Sequence, residues 1–178
     1  MAPDMKEIIA KASRKLIFEK NVKKLTVKDI VKECQITRQT FYYHFEDIPS
    51  LIRWDLEKNM PIILEEVLSA GNPEEGMLYL FRMALAISPY IKKVMQTNYK
   101  DEIECLLEQF VYQLFEKIWE YGCKFKNCSR FELNLILRYH SQAILGLIKH
   151  WTEDDTKNLE QIAHQVFLMI TGDYSSFS

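Results

Sequence analysis

Glycine, proline and cysteine are scarce in this sequence. Its 178 residues include five Gly, five Pro and four Cys, and so few Gly and Pro argue against a turn-rich β-sandwich and favour long helices. No uncharged apolar run approaches the roughly 18 residues that a membrane span needs, and Lys6, Glu7 and Lys11 interrupt any signal-peptide core. We therefore expect a cytoplasmic protein that has no membrane partner.

Motifs for metals, cofactors and catalysis are also missing. The four cysteines form no C-x-x-C pair and have no histidine at zinc-finger spacing. The sequence contains no nucleophile elbow, P-loop, dinucleotide fingerprint or H-E-x-x-H set. We therefore predict free thiols, no metal, no cofactor and no enzymatic activity. The cysteines are Cys34, Cys105, Cys123 and Cys128.

The composition is that of a folded protein whose charge is unevenly distributed. Apolar residues make up 48% of the chain, enough for a sizeable core, and charged residues make up 27%. Residues 1–50 contain ten Lys and Arg against seven Asp and Glu, and the remainder contains thirteen against eighteen. The resulting net charges of +3 and −5 indicate a polyanionic partner for the N-terminal end only.

Apolar residues recur at helical spacing through most of the chain, and no strand-like alternation of any length occurs. We therefore predict an all-α fold, with a first helix at about 4–20. A long helix begins near Pro49, is kinked or split at Pro61, and ends before the break at 71–73. The later helices are predicted at about 74–87, 89–98, 101–122, 130–150 and 154–172.

Residues 25–45 have the pattern of a helix-turn-helix. Thr26, with Asp29 three residues later, marks a helix start, and Thr37 is a second N-cap candidate. Only a tight turn fits between Cys34 and Thr37. Two short helices joined by three or four residues are the helix-turn-helix plan.

The second short helix has an apolar face and a donor-rich face. Phe41 and Phe45 are four residues apart and share a face, so both are expected in the core. A helix of two turns is not stable alone, so it must dock through these two rings and present its other residues outward. Those residues are Arg38, Gln39, Tyr42 and Tyr43, with Thr40 and His44 on the flank.

Residues 26–45, which end in Thr-Phe-Tyr-Tyr-His-Phe, resemble the DNA-binding motif of the TetR family of transcriptional regulators. The run 36–48 is similar to a Firmicutes-type branch that includes regulators of dihydroxyacetone kinase operons. The resemblance implies an all-helical homodimer with about nine helices per subunit. It implies a three-helix helix-turn-helix domain at 1–48 and a helical ligand-binding and dimerisation bundle at 49–178.

By the same resemblance, the partner is a double-stranded DNA operator, and the contact residues lie on the two short helices. Arg38 and Gln39 would meet base edges, and Tyr42 would meet a thymine methyl or a phosphate. A solvated basic face would help association with DNA without making specific contacts, and it consists of Lys11, Arg14, Lys15, Lys23 and Lys24. The residues expected at phosphates are Thr26, Thr37, Thr40, Tyr43 and His44, with Lys28 as an additional contact.

Three positions depart from the family pattern. Gln35 stands where many members have Gly, so the turn must form without one. Asn21 stands where Gly is usual after the first helix, and we expect it to terminate that helix. Ile48 stands where a lysine that touches phosphate is common, so we expect this contact to be missing.

The C-terminal helices carry candidates for an effector pocket and for a dimer interface. Pockets combine apolar walls with a few polar groups, and the pocket candidates are Tyr112, Trp119, Tyr139 and His140. For each of them the alternative is a place in the core or at the surface. The last two long helices carry apolar stripes that fit a two-fold four-helix bundle; the alternative is that both stripes face their own subunit's core. The predicted interface residues are Leu133, Leu137, Ile144, Leu147, Ile148, Ile162, Val166 and Phe167.

These patterns predict a repressor that binds a near-palindromic operator as a homodimer. An unknown effector in the C-terminal domain would control it by binding one conformation more tightly. The alternative is a regulator or adaptor whose C-terminal domain docks a partner protein instead of a small molecule. Repression or activation depends on the operator's position, which the protein sequence does not record.

Overall fold

The structure, a computed structural model, describes residues 4–20, 22–96, 98–122 and 129–171. These residues form helices and no strand, so the predicted all-α fold is confirmed. No helix in this part of the chain is both long and apolar enough to cross a membrane. The predictions for Asn21, Cys123, Cys128 and Gly172 fall outside the described residues. The helices are α1 Met5–Phe18, α2 Val27–Cys34, α3 Arg38–His44, α4 Ile48–Ser69, α5 Pro73–Val94, α6 Lys100–Gly122, α7 Arg130–Lys149, α8 Glu153–Lys157 and α9 Leu159–Thr171.

Two threonine caps begin the short helices at the predicted residues. The hydroxyl of Thr26 accepts a hydrogen bond from the N–H of Asp29 at 3.2 Å. The hydroxyl of Thr37 accepts one from the N–H of Thr40 at 3.1 Å. Each cap satisfies a backbone donor that has no partner within its helix, so α2 and α3 start directly after the two threonines.

Gln35 makes the turn between α2 and α3 in the left-handed conformation. Its φ is 56° and its ψ is 38°, and no other non-glycine residue of the described ranges has a positive φ. The N–H of Ile36 donates to the carbonyl of Val31 at 3.0 Å, and the N–H of Gln35 donates to the carbonyl of Lys32 at 3.3 Å. These bonds close the end of α2, but the Cβ of Gln35 makes the conformation strained, as it would not be for Gly.

We expect Gln35→Gly to stabilise the protein, because glycine adopts this conformation without strain. The free energy of unfolding should rise by roughly 0.5 to 1 kcal/mol, measured by urea denaturation followed by circular dichroism. Gln39→Gly, which changes an exposed glutamine inside α3, is the matched control and should destabilise the protein. A Gln35→Gly protein no more stable than the wild type would contradict the strain argument.

Two prolines lie inside long helices without splitting them. α4 continues past Pro61 and α5 continues past Pro89, so the predicted separate helices at 74–87 and 89–98 are wrong. Both prolines are exposed, so water can reach the side of the helix where each ring removes a hydrogen bond. Tyr90 and Val94, which follow Pro89, are buried, and their packing holds the end of α5 in helical form.

The predicted last helix at 154–172 is two helices. Its start is marked by Thr152, which forms a reciprocal capping box with Asp155. The chain then leaves helical geometry at Asn158, with φ −105° and ψ 18°. The N–H of Asn158 donates to Asp154 at 3.2 Å, while its carbonyl accepts from Ile162 at 2.9 Å. Asn158 therefore ends α8 and begins α9.

The chain packs into two compact units. Unit 1 comprises Met1–Asn59 with Ile87–Leu107, and unit 2 comprises Met60–Ala86 with Glu108–Ser178. The functional boundary after residue 48 stays a prediction. The core of unit 1 includes Ile9, Ile30, Phe41, Leu51, Tyr90, Val94 and Ile103. The core of unit 2 includes Met77, Phe81, Phe115, Leu137, Ile144, Ala163, Val166 and Ile170.

Tyr90 ties the second segment of unit 1 to α1. The Ser13 hydroxyl donates to the carbonyl of Ala10 at 2.8 Å, so the Tyr90 hydroxyl, 3.3 Å from Ser13 Oγ, must be the donor in that pair. Burial raises the pKa of Tyr90 to about 12, and Phe18 stacks on its ring at 5.8 Å between centroids. Tyr90, Val94 and Ile103 of this second segment are thus part of the core that supports the helix-turn-helix.

Candidate nucleic-acid interface

α3 is anchored by the apolar face that the sequence predicts. Phe41 is fully buried and Phe45 is 4% exposed, and both belong to the core of unit 1. The ring of Trp54 on α4 lies 5.9 Å from the ring of Phe45, centroid to centroid. The core role of the two phenylalanines is confirmed, and it fixes which side of α3 faces outward.

The outer face of α3 is formed by Arg38, Gln39, Tyr42 and Tyr43. Tyr42 is 55% exposed and Tyr43 is 84% exposed, and Arg38 and Gln39 are also exposed. The first turn of α3 contains no acidic residue, so no carboxylate of that turn opposes the charge of Arg38. A guanidinium, an amide and two phenols are groups that pair with base edges and phosphates.

The hydroxyls of the threonines predicted at phosphates make hydrogen bonds within the protein. Thr26 Oγ1 donates to Asp29 Oδ2 at 2.5 Å while it caps α2. The hydroxyl oxygens of Thr37 and Thr40, the latter half-buried, lie 2.9 Å apart. Thr26 can donate to a phosphate only by giving up its hydrogen bond to Asp29. In the Thr37–Thr40 pair only one hydroxyl donates to the other, so the second O–H can still donate to an outside acceptor.

The remaining predicted contacts lie beside α3. Lys28 is exposed on α2, and His44 is half-buried at the end of α3. Ile48, the first residue of α4, is 4% exposed in the core of unit 1. The start of α4 is capped instead by Asp47, whose carboxylate accepts from the N–H of Ser50 at 2.8 Å. Position 48 therefore contributes an apolar core side chain in place of a phosphate-binding lysine.

Ion pairs hold Arg14 and Lys15, two residues of α1 that the sequence pattern placed on a solvated face, and also Lys20 just beyond α1. Glu33 pairs with Lys20 and with Lys15, the latter at 3.1 Å. Hydrogen bonds from Lys20 and Lys15 lower the pKa of Glu33. Arg14 is also paired with acidic residues. The positive charge that α1 presents at its surface is therefore smaller than its number of basic residues predicts.

The four effector-pocket candidates have different environments. Tyr112 donates from its hydroxyl to Asn134 Oδ1 at 3.2 Å, and Tyr112 and Trp119 both pack against the core of unit 2. Tyr139 is 69% exposed. His140 is half-buried, and its burial lowers its pKa. The structure therefore places Tyr112 and Trp119 against the core and places Tyr139 at the surface; the pocket itself stays a prediction.

Ser141 is a buried polar group that the sequence pattern did not indicate. It is 2% exposed, and its hydroxyl oxygen has no hydrogen-bond partner. Leu137 and Ile144, on either side of it along α7, lie in the core of unit 2. Unsatisfied hydroxyls in apolar surroundings are destabilising. The sequence feature that could have revealed this buried hydroxyl is a single serine within the apolar stripe of α7.

The residues predicted at the dimer interface differ in burial. Leu137, Ile144 and Val166 are buried inside unit 2, as the core alternative requires, and have little surface to offer a second copy. Leu147 is 44% exposed. The half-buried members, which pack against the same core, are Leu133, Ile148, Ile162 and Phe167. The interface stays a prediction, with Leu147 its most accessible residue.

A second row of apolar residues on α7 is exposed. Its five members follow one another at intervals of four residues, and we name this row the α7 ridge. Met169, which lies on α9 and is not part of this ridge, is also exposed, to 46%. The α7 ridge consists of Phe131 (77% exposed), Leu135 (51%), Tyr139 (69%), Ala143 (exposed) and Leu147 (44%). Rows at this spacing form the ridges by which helices pack against one another.

Two family models match the chain. Residues 9–53 match the model for bacterial regulatory proteins of the tetR family, and residues 71–172 match that for a transcriptional regulator C-terminal region. Among curated proteins, the HTH-type dhaKLM operon transcriptional activator DhaS of Lactococcus lactis subsp. lactis (strain IL1403) is 26% identical over 149 residues. The match covers 80% of this chain and 76% of that protein.

Solved structures share the fold. The dihydroxyacetone kinase operon activator DhaS has a TM-score of 0.61 at 21% identity and covers 96% of both chains. The TetR-family repressor FadR of Thermus thermophilus, solved with lauroyl-CoA, has a TM-score of 0.59 at 17% identity, over 93% of this chain and 92% of that one. Since the family models cover the helix-turn-helix and more than half of the chain, this protein belongs to the TetR family of transcriptional regulators.

Proposed function

We propose that this regulator binds a near-palindromic double-stranded operator as a homodimer in the cytoplasm, with residues 1–48 as its DNA-binding domain. The observation that carries the proposal is the outer face of α3, where Arg38, Gln39, Tyr42 and Tyr43 are exposed on a helix anchored by buried phenylalanines. Two such helices about 34 Å apart in a dimer would read successive major grooves.

The dimer is supported by the α7 ridge. Phe131, Leu135 and Tyr139 are more than half exposed on one face of a 20-residue helix, and apolar rows of this kind mark interaction surfaces. Each step of four residues turns the row about 40° around the helix, so pairing the α7 ridge with its copy about a two-fold axis would cover its central members, Leu135, Tyr139 and Ala143. Met169 on α9 would add to the same interface. The alternative occupant is a partner protein, and a chain that is monomeric in solution would favour it.

The effector is proposed to be a small molecule bound in the C-terminal domain, residues 49–178. The unpartnered hydroxyl of Ser141 supports an amphiphilic ligand, because an apolar body would suit the surrounding side chains and one polar group would satisfy the hydroxyl. FadR, which shares the fold, was solved with lauroyl-CoA, a ligand with this division between an apolar and a polar part.

Repression is the direction that the sequence pattern predicts, and the similar proteins act in both directions. DhaS is named an activator and FadR a repressor. Both directions are compatible with the same operator-bound dimer, so a promoter fusion with and without the protein measures which one applies.

The proposal is tested by selecting genomic fragments with the purified protein at low ionic strength and footprinting those that bind. We expect enrichment of a few sites with two protected half-sites about one helical turn apart. The affinity should fall steeply with added salt, because phosphate contacts release counterions. A lack of sequence enrichment would contradict operator binding by the protein alone and would favour the partner-protein alternative.

A further inference from the structure

An alternating group of charged side chains joins α1 to α4 within unit 1. Arg14 on α1 lies between two carboxylates: its Nη2 is 3.1 Å from Glu7 Oε1, and its Nη1 donates to Asp55 Oδ1 on α4. Lys58, one turn further along α4, donates to the other oxygen of Glu7. Asn59 Nδ2 lies 3.2 Å from the Asp55 oxygen that binds Arg14. We name Glu7, Arg14, Asp55 and Lys58 the α1–α4 clamp.

The clamp is shielded from water more than an ordinary surface pair. Its side chains are 15% exposed for Asp55, 22% for Glu7, 31% for Arg14 and 43% for Lys58. By contrast, the Arg82–Glu160 pair in unit 2 is 58% and 78% exposed. Burial lowers the pKa of Arg14, but its hydrogen bond and charge contact with Asp55 outweigh this and leave the pKa raised. Partly buried, hydrogen-bonded charges are costly to separate, whereas exposed pairs contribute little.

The clamp fixes a relation between helices that apolar packing leaves adjustable. Hydrophobic contact is non-directional, but two charged contacts cross between the helices, Arg14 to Asp55 and Lys58 to Glu7. Both are satisfied together in one register of α1 against α4 only. α3 is joined to α4 by the three residues 45–47, and Phe41 and Phe45 of this region lie in the same core as Ile9 of α1 and Leu51 of α4. The register of α1 against α4 therefore determines the position of α3 on this core.

We propose that Arg14 is a positioning residue for operator binding, which holds α1 and α4 in register and so sets how α3 is presented to DNA. This inference rests on the proposed function. Arg14 then acts within unit 1 and not at the DNA surface, because its two terminal nitrogens, Nη1 and Nη2, already donate to Asp55 and Glu7. A phosphate contact by Arg14 is the competing role, and the two roles differ in their response to salt.

The experiment compares Arg14→Met and Arg14→Lys with the wild type, and uses Arg82→Met as the matched control. We expect Arg14→Met to weaken operator binding roughly tenfold, the effect of losing a network contact. The slope of log affinity against log salt should stay unchanged, whereas each lost phosphate contact would reduce that slope by about 0.9. Arg14→Lys keeps the charge but loses the guanidinium that binds Glu7 and Asp55 at the same time, so it should also weaken operator binding. Arg82→Met should bind as the wild type does.

A second measurement does not depend on DNA. Amide hydrogen exchange of α3 and α4 should be faster in Arg14→Met than in the wild type, and Arg82→Met should leave it unchanged. If the wild type binds no operator, the proposed function fails and with it the role of Arg14 in operator binding; faster exchange in Arg14→Met would then show only that Arg14 holds α1 and α4 in register. Wild-type affinity in Arg14→Met, a reduced salt slope, or unchanged exchange in α3 would each overturn the proposal.

Discussion

Replacing Tyr42 and His44 together by alanine should abolish operator binding while helicity and dimerisation are retained. Tyr42 is 55% exposed on the outer face of α3, and His44 lies at the end of the same helix. Neither side chain is part of the buried core of unit 1, and alanine is the best helix former. The folded unit should therefore survive the change.

The expected loss of affinity is large because each side chain occurs twice in a dimer. A lost contact of this kind costs roughly 1–3 kcal/mol, so the double variant should bind the selected operator at least about 100-fold more weakly. Fluorescence anisotropy with a labelled operator measures the affinity, and circular dichroism checks the helices. Tyr121→Ala, at a 65% exposed tyrosine of α6, is the matched control. Retained binding in the double variant would show that these two residues are not the contacts.

Leu135→Glu should convert the proposed dimer to a monomer. Leu135 is 51% exposed at the second position of the α7 ridge, so glutamate is well solvated in a free subunit. In a two-fold interface two carboxylates would be buried near each other, and burying unpaired charge is strongly unfavourable. We expect the dimer dissociation constant to rise at least about 100-fold, as for a central interface residue, measured by sedimentation.

Operator affinity should fall along with dimerisation, because one subunit reads only one half-site. Ile62→Glu on α4 is the matched control, since Ile62 is 56% exposed and lies outside the α7 ridge. If Leu135→Glu remains a dimer of normal affinity and Ile62→Glu does not, the interface lies elsewhere and the ridge is available to another protein.

Local signals in the sequence located the helix-turn-helix well. The hydroxyl caps at Thr26 and Thr37 act on backbone groups three residues away, and the Phe41–Phe45 spacing is a property of one helix. Because these interactions connect neighbouring residues, a single sequence was enough to place α2 and α3 and to orient α3.

Features that depend on distant residues were not predictable in this way. Pro89 did not end α5, because Tyr90 and Val94 gain core contacts beyond it. The apolar stripe of α7 predicted as an interface includes Leu137 and Ile144, which are buried in the chain's own core. Because α7 has apolar residues on two faces, the sequence pattern could not show which face is buried and which is the exposed ridge. Likewise, the pairing of Arg14 on α1 with Asp55 on α4 joins residues that are far apart in the sequence.

The composition of unit 1 has a consequence for the order of events during synthesis. Its core joins Ile9, Phe41 and Leu51 to Tyr90, Val94 and Ile103, so the ribosome finishes the helix-turn-helix well before the residues that complete its support. At about 5–20 residues per second, translation of residues 60–107 takes roughly 2 to 10 s. During that interval the nascent chain carries apolar side chains without their native cover. We therefore expect the DNA-reading end of this protein to mature late, and to need chaperone protection when translation is slowed within residues 60–107.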